Sequence, residues 1–370
     1  MRSAASRRIL CVLLAAVSGL AASATRAAAQ EHPAAAGPSQ YPSLRISGFG
    51  DVSFSRTTND ADAKGFTLGQ LALHMISELS SRVTFFGEVT FTPRSDAGTG
   101  TPAAAGFNVE VERMIVRFDQ SDRFKVSFGR YHTPINYWNT AFHHGQWLQT
   151  TITRPEMIRF GSQFLAVHFV GALVEGSAPA GGWHLNYKGG LGNGRSAVIS
   201  RAGDAGDVNK SPAWLANLSV KPDRVFGLEF GASIYGDDVA RLGRTFDERI
   251  VAGHFVWHKE TPEVIAEVAG IRHRDPETSV VTWNQAGYVQ VAWRLKDKGA
   301  AWKPYVRVEH VDIDGADLVF TAVPKLDMST IGVRYDPSSF AAFKGEFRTW
   351  RRGPGSPRDR GGYFQLSFTF

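Results

Sequence analysis

Apolar and polar residues alternate with period two through most of this 370-residue chain, and the pattern recurs in segments of about ten residues. The alternation is cleanest at the C-terminus, where Phe364, Leu366, Phe368 and Phe370 share one face and Gln365, Ser367 and Thr369 the other. Such a strand sets an apolar medium on one side and a polar one on the other. Sixteen strands are predicted, near 44–55, 66–79, 82–93, 107–118, 123–132, 163–175, 183–192, 213–221, 227–236, 248–258, 263–273, 282–295, 302–312, 325–336, 340–350 and 361–370. The sixth, tenth and eleventh alternate poorly, which leaves fourteen as the other count.

The connections differ in length in a regular way. Short turns rich in Asp, Pro and Ser fall at 119–122, 222–224, 260–262 and 336–339. Longer polar connections fall at 94–106, 133–162, 193–212, 237–247, 274–281, 313–324 and 351–360. Short turns on one rim and long loops on the other are the asymmetry of a transmembrane antiparallel β-barrel, the short turns periplasmic and the long loops extracellular. The expected class is therefore all-β, a barrel of about sixteen strands over residues 44–370, in contact with outer-membrane lipid.

The N-terminal residues agree with export. Arg2, Arg7 and Arg8 precede an apolar run from Ile9 to Val17 and an Ala27-Ala28-Ala29 site, the form of a secretory signal peptide covering 1–29. Residues 30–43, rich in Ala, Pro and Gly, form a short periplasmic leader. No later run is apolar enough for a transmembrane helix, so any crossing is by strands. The single cysteine, Cys11, lies in the signal and ahead of most of its apolar run, unlike a lipoprotein site. Cleavage removes four arginines and no acid, lowering the net charge from +6 to +2. A nucleic-acid partner finds no basic cluster to bind.

Charged residues at mid-strand identify the inner face, because Arg or Lys facing lipid at the midplane costs roughly 2–4 kcal/mol. Lys344, Glu346 and Arg348 oppose Phe343 and Phe347; Arg307 and Glu309 oppose Val306 and Val308; Arg334 opposes Ile331 and Val333. With Arg113, Arg117, Lys125 and Arg294 these are the candidate pore-lining residues, beside Lys188 and Lys221 and the acids Asp51, Glu88, Glu229 and Glu267. Bases exceed acids modestly, which predicts a weak anion preference; for each residue a cross-strand ion pair in the wall is an equally good reading. Trp183 and Trp302 at periplasmic ends, and Trp283 and Trp350 at extracellular ends, are expected in interfacial girdles.

Three segments carry a resemblance to the phosphate-selective porin O/P-like family of sixteen-stranded outer-membrane channels. They are Arg45-Ile46-Ser47-Gly48-Phe49-Gly50-Asp51-Val52, Val126-Ser127-Phe128-Gly129-Arg130-Tyr131-His132-Thr133-Pro134, and Ile331-Gly332-Val333-Arg334-Tyr335-Asp336-Pro337 with Lys344-Gly345-Glu346-Phe347. The resemblance implies passive diffusion of small hydrophilic or anionic solutes and recognition of the strand ending at Phe370 by the barrel-assembly machinery. It also implies, by analogy with general porins, a homotrimer. No arginine ladder of the phosphate-selective members matches here, so phosphate selectivity is not implied. By the same analogy the 133–162 connection folds inward, with Tyr137, Trp138, His143, His144, Trp147 and Arg154 as constriction candidates, the alternatives being a lid over the mouth or a contact between subunits. A plugged structural or adhesive barrel is the alternative.

His143 and His144 have no acidic or Cys partner at ligand spacing, so neither a metal nor another cofactor is expected. Nucleophile elbows, zinc-protease motifs, Walker loops and cysteine nucleophiles are missing from the sequence, and no enzymatic activity is expected.

Overall fold

The computed structural model describes residues 41–62, 64–93, 106–142, 144–159, 163–209 and 211–370. The predicted signal and most of the leader, residues 94–105 of the 94–106 connection and His143 lie outside the described residues. Seventeen strand segments form one antiparallel sheet: β1 Ser43–Thr57, β2 Gly65–Leu68, β3 Leu71–Ser80, β4 Val83–Pro93, β5 Phe107–Ser121, β6 Phe124–His132, β7 His168–Pro179, β8 Trp183–Asn193, β9 Ala213–Pro222, β10 Leu228–Arg241, β11 Arg244–His258, β12 Glu263–Arg274, β13 Val281–Ala292, β14 Trp302–Asp312, β15 Leu326–Ser338, β16 Ala341–Arg351 and β17 Asp359–Thr369.

From β3 onward each segment pairs with the next in sequence, β1 pairs with β2 and β3, and β17 returns to pair with β1 from Phe49↔Thr369 to Thr57↔Gly361. The sheet therefore closes on itself as a barrel. β2 and β3 are two pieces of one stave, since both pair with β1, one along each half of it. The break falls at Gly69-Gln70, where a carboxylate oxygen of Asp51 accepts the Gln70 N–H at 3.0 Å and occupies the space a Cβ on residue 69 would need. Sixteen staves result, and the count of fourteen is excluded.

Facing follows the alternation. Val251, Val268, Ile331, Phe343, Phe347 and Phe364 are exposed on the outer wall, while Lys344, Glu346, Gln365 and Ser367 are buried inside. An apolar outer belt over a polar inner face is what lipid contact demands.

Three expectations change. The 237–247 connection is no long loop: β10 and β11 pair as far as Arg241↔Arg244 and turn tightly through Leu242-Gly243, both at positive φ. β7 begins at His168 rather than 163, because 163–167 belongs to the preceding inner loop. Trp350 is 3% exposed and faces inward with Lys344 and Arg348, so it is not a girdle residue; Trp183, Trp302 and Trp283 do face outward.

The hydrophobic core lies inside the barrel. Ile135, Trp138, Met157, Ile158, Phe164 and Leu165 of the inner loop pack with inward-facing Tyr235, Ile250, Ile265 and Ile271. This explains the poor alternation of the strands predicted at 248–258 and 263–273. Their inner faces must be apolar to receive the loop, and their outer faces apolar to meet lipid.

Candidate channel constriction

The described residues of the loop between β6 and β7, 133–142, 144–159 and 163–167, fold into the lumen and are held there by wall side chains that bond the loop backbone. Glu267 on β12 accepts the N–H groups of Tyr137 and Trp138, both at 2.7 Å. These open the one-turn helix Trp138–Ala141, whose first amides have no partner within the helix. Glu346 accepts the Ile152 N–H at 2.7 Å, and Glu309 the Glu156 N–H at 2.6 Å. Arg334 donates to the carbonyls of Trp147 and Gln149, at 2.7 and 2.8 Å. Lys344 donates to those of Gln146 and Thr151, and Arg307 to that of Thr153 at 2.7 Å. Acids meet amides and bases meet carbonyls, so the folded-in loop keeps its backbone hydrogen-bonded away from bulk water.

Five of the sequence-derived pore candidates, Arg307, Glu309, Arg334, Lys344 and Glu346, are thus engaged with the loop, and Arg348 pairs with Glu346. These groups are buried and bond the loop backbone or one another. Arg113 bonds Glu88 and lies over the Phe86 ring, 4.3 Å from its centroid. Arg117 bonds Asp119 at 2.7 Å. It stands beside a cross-strand row, Asp119↔Lys125↔Glu175↔Lys188, near the short-turn rim. Arg294 bridges Glu260 and Asp336 at that rim, and Lys221 pairs with Glu229 at 3.2 Å. These last are cross-strand pairs of the wall.

The loop candidates separate as well. Trp138 is buried against Phe142 and Tyr288, and Tyr137 bonds His258 through its hydroxyl. The Trp147 ring lies 5.8 Å from the Arg334 guanidinium carbon. His144 Nδ1 meets Gln70 Oε1 at 2.6 Å, tying the loop to the β2–β3 break.

Between the loop and the wall of β15, β16, β17 and the end of β1 lies a cavity of about 180 Å³. Arg154, Arg159, Arg348 and Arg352 line it, against Asp62 and Glu156. Burial pushes the Glu156 carboxyl above its ordinary range, against the pull of Arg159. Of these residues the sequence singled out only Arg154 and Arg348; Arg159 and Arg352 sit in connections whose path no periodicity reveals.

The Phe128-Gly129-Arg130 segment has a structural reason. β5 carries a bulge at Glu112, where the register slips from Glu88↔Arg113 to Val89↔Val111. Arg130 donates to the Val111 and Glu112 carbonyls at the bulge, each at 2.6 Å. Gly129, at φ +143, lies so close to β5 that a Cβ would stand 1.8 Å from the Met114 carbonyl oxygen.

No family model matches the chain, and no curated protein matches it. Solved structures do. An anion-selective porin from Comamonas acidovorans superposes with a TM-score of 0.62 at 12% identity, over 89% of this chain and all of that one. OmpT, an outer membrane protein of Vibrio cholerae in a trimer form, gives 0.56 at 13%, over 89% and 99%. The outer membrane channel DcaP of Acinetobacter baumannii gives 0.55 at 13%, over 88% and 97%. At such identities the likeness is one of fold, and the fold is that of the porin barrels.

Proposed function

We propose that the protein is an outer-membrane porin through which small hydrophilic solutes diffuse passively, with a weak preference for anions. The arginine-lined cavity between the inner loop and the β15–β17 wall carries this reading, because a narrow path with excess fixed positive charge concentrates anions. The similarity to an anion-selective porin and to an outer membrane channel supports it at the level of fold. The signal-like N-terminus, assembly through the strand ending at Phe370 and contact with outer-membrane lipid belong to the same proposal. So do affinity to the phosphate-selective O/P-like branch and a homotrimer, the last supported by the trimer form of a similar barrel.

Planar-bilayer recording of the detergent-folded chain tests it. Stepwise ohmic currents are expected, with a reversal potential in a salt gradient that favours anions; clear cation selectivity defeats the anion preference. A second reading, a plugged structural barrel, draws on the number of wall charges committed to the loop backbone. Silence from correctly folded protein favours the plug.

A further inference from the structure

Three histidines and a glutamate that lie far apart in sequence converge inside the barrel. Each of Glu112, His132, His144 and His168 contributes one donor atom, and the four atoms lie within 4.8 Å of one another. All four residues are buried. Glu112 and His168 Nε2 are 2.8 Å apart, Glu112 and His144 Nε2 3.4 Å. The His132 ring centroid is 5.5 Å from those of both His144 and His168.

The backbone supplies each donor for a separate reason. His132 ends β6, His168 begins β7, and the two are cross-strand partners at the feet of the inner loop. His144 comes from the middle of that loop. Glu112 is the extra residue of the β5 bulge, which turns it inward together with Arg113.

We propose that these four residues form a binding site for a divalent transition metal of the zinc class, which staples the middle of the inner loop to its own base. Three imidazoles and one carboxylate suit zinc, cobalt, nickel or copper rather than magnesium or calcium. A tetrahedral ion at about 2.0–2.1 Å from each ligand spaces the donors about 3.3–3.4 Å apart, so modest side-chain rotations close the set. Outer contacts of the kind metal ligands have are in place. His144 Nδ1 lies 2.6 Å from Gln70 Oε1, and a proton on Nδ1 donated to that oxygen leaves the Nε2 lone pair facing the cluster. Thr90 donates to Glu112 Oε1 at 3.3 Å, and Arg130 to Glu112 Oε2 at 3.3 Å. Spacing in the sequence offered His144 no partner; the bulge and the closing of the loop supply three.

Titration of zinc chloride alone into the full chain, folded in detergent and followed by calorimetry at neutral pH, tests the site without reading any current. One ion per chain is expected. His168→Gln and His132→Gln should each weaken binding by about 100-fold or more, whereas His184→Gln and His310→Gln, at exposed positions, should leave it unchanged. Cobalt(II) in the wild-type chain should show the intense visible bands of a four-coordinate, nitrogen-rich ion. Lack of stoichiometric uptake by the wild type overturns the proposal, as does uptake unaltered in the His132/His168 double variant. If the variants do not fold, the wild-type cobalt spectrum decides: a six-coordinate, aquo-like spectrum rejects the site.

Discussion

Glu267→Ala strikes the latch that holds the start of the inner loop. In the native barrel one oxygen of the buried Glu267 carboxylate accepts both the Tyr137 and Trp138 amides. A hydrogen bond to a charged group contributes about 1.5–3 kcal/mol. Losing two lowers the free energy of local opening by roughly 3–6 kcal/mol if no water replaces the carboxylate. At about 1.4 kcal/mol per factor of ten, the opening constant rises by at least about 100-fold. Glu267→Gln keeps the shape and an acceptor but not the charge, and should lose about half as much. Neighbouring anchors confine the change, since Asn136 holds Ser233 Oγ through its N–H and the Val268 carbonyl through its side chain. Amide hydrogen exchange resolved at Tyr137 and Trp138 is the assay, with folding checked by the mobility shift of the unboiled barrel in SDS gels. Protection in folded Glu267→Ala within a few-fold of wild type would falsify the view that wall carboxylates hold the loop inside.

Three further outcomes are expected. Replacing Arg159 and Arg352 by Gln should move the reversal potential in a salt gradient toward cations, while Arg45→Gln, at an exposed wall position, should not. Burial opposes ionisation of Asp317, but bonds from His273, Thr282 and Asn284 outweigh it and hold its pKa well below the ordinary range. A depressed pKa gives stability that is present above the unfolded value of about 3.9 and is lost as pH falls through the folded one. The melting-temperature gap between wild type and Asp317→Asn should therefore be steady from pH 8 to about 5 and shrink below about 4; a gap that grows on acidification contradicts the sign. Gly129→Ala should destabilise the β5–β6 pairing by more than about 3 kcal/mol, because the clash is with backbone, and denaturant titration of the folded barrel reads the loss.

The strands and their facing were legible in the sequence because each depends on neighbours a few residues apart. Lipid admits no charge at mid-strand, so Lys344, Glu346 and Arg348 had to point inward whatever lay across the lumen. Tight turns declared themselves through Asp and Pro, whereas Leu242-Gly243 was mistaken for part of a long loop because β10 and β11 extend with polar residues beyond the apolar belt. The tertiary structure alone decided what the inward charges meet. Glu267 finds Tyr137 across 130 residues of sequence, and Arg334 finds Trp147 across 187, encounters that no local period encodes. The same holds for the four metal-binding candidates: a bulge that shifts Glu112 by one position, and a loop that turns back on its own feet, are outcomes of sheet closure and core packing. Alternation of polarity fixes which side of the wall a residue is on; only folding in three dimensions fixes its partner there.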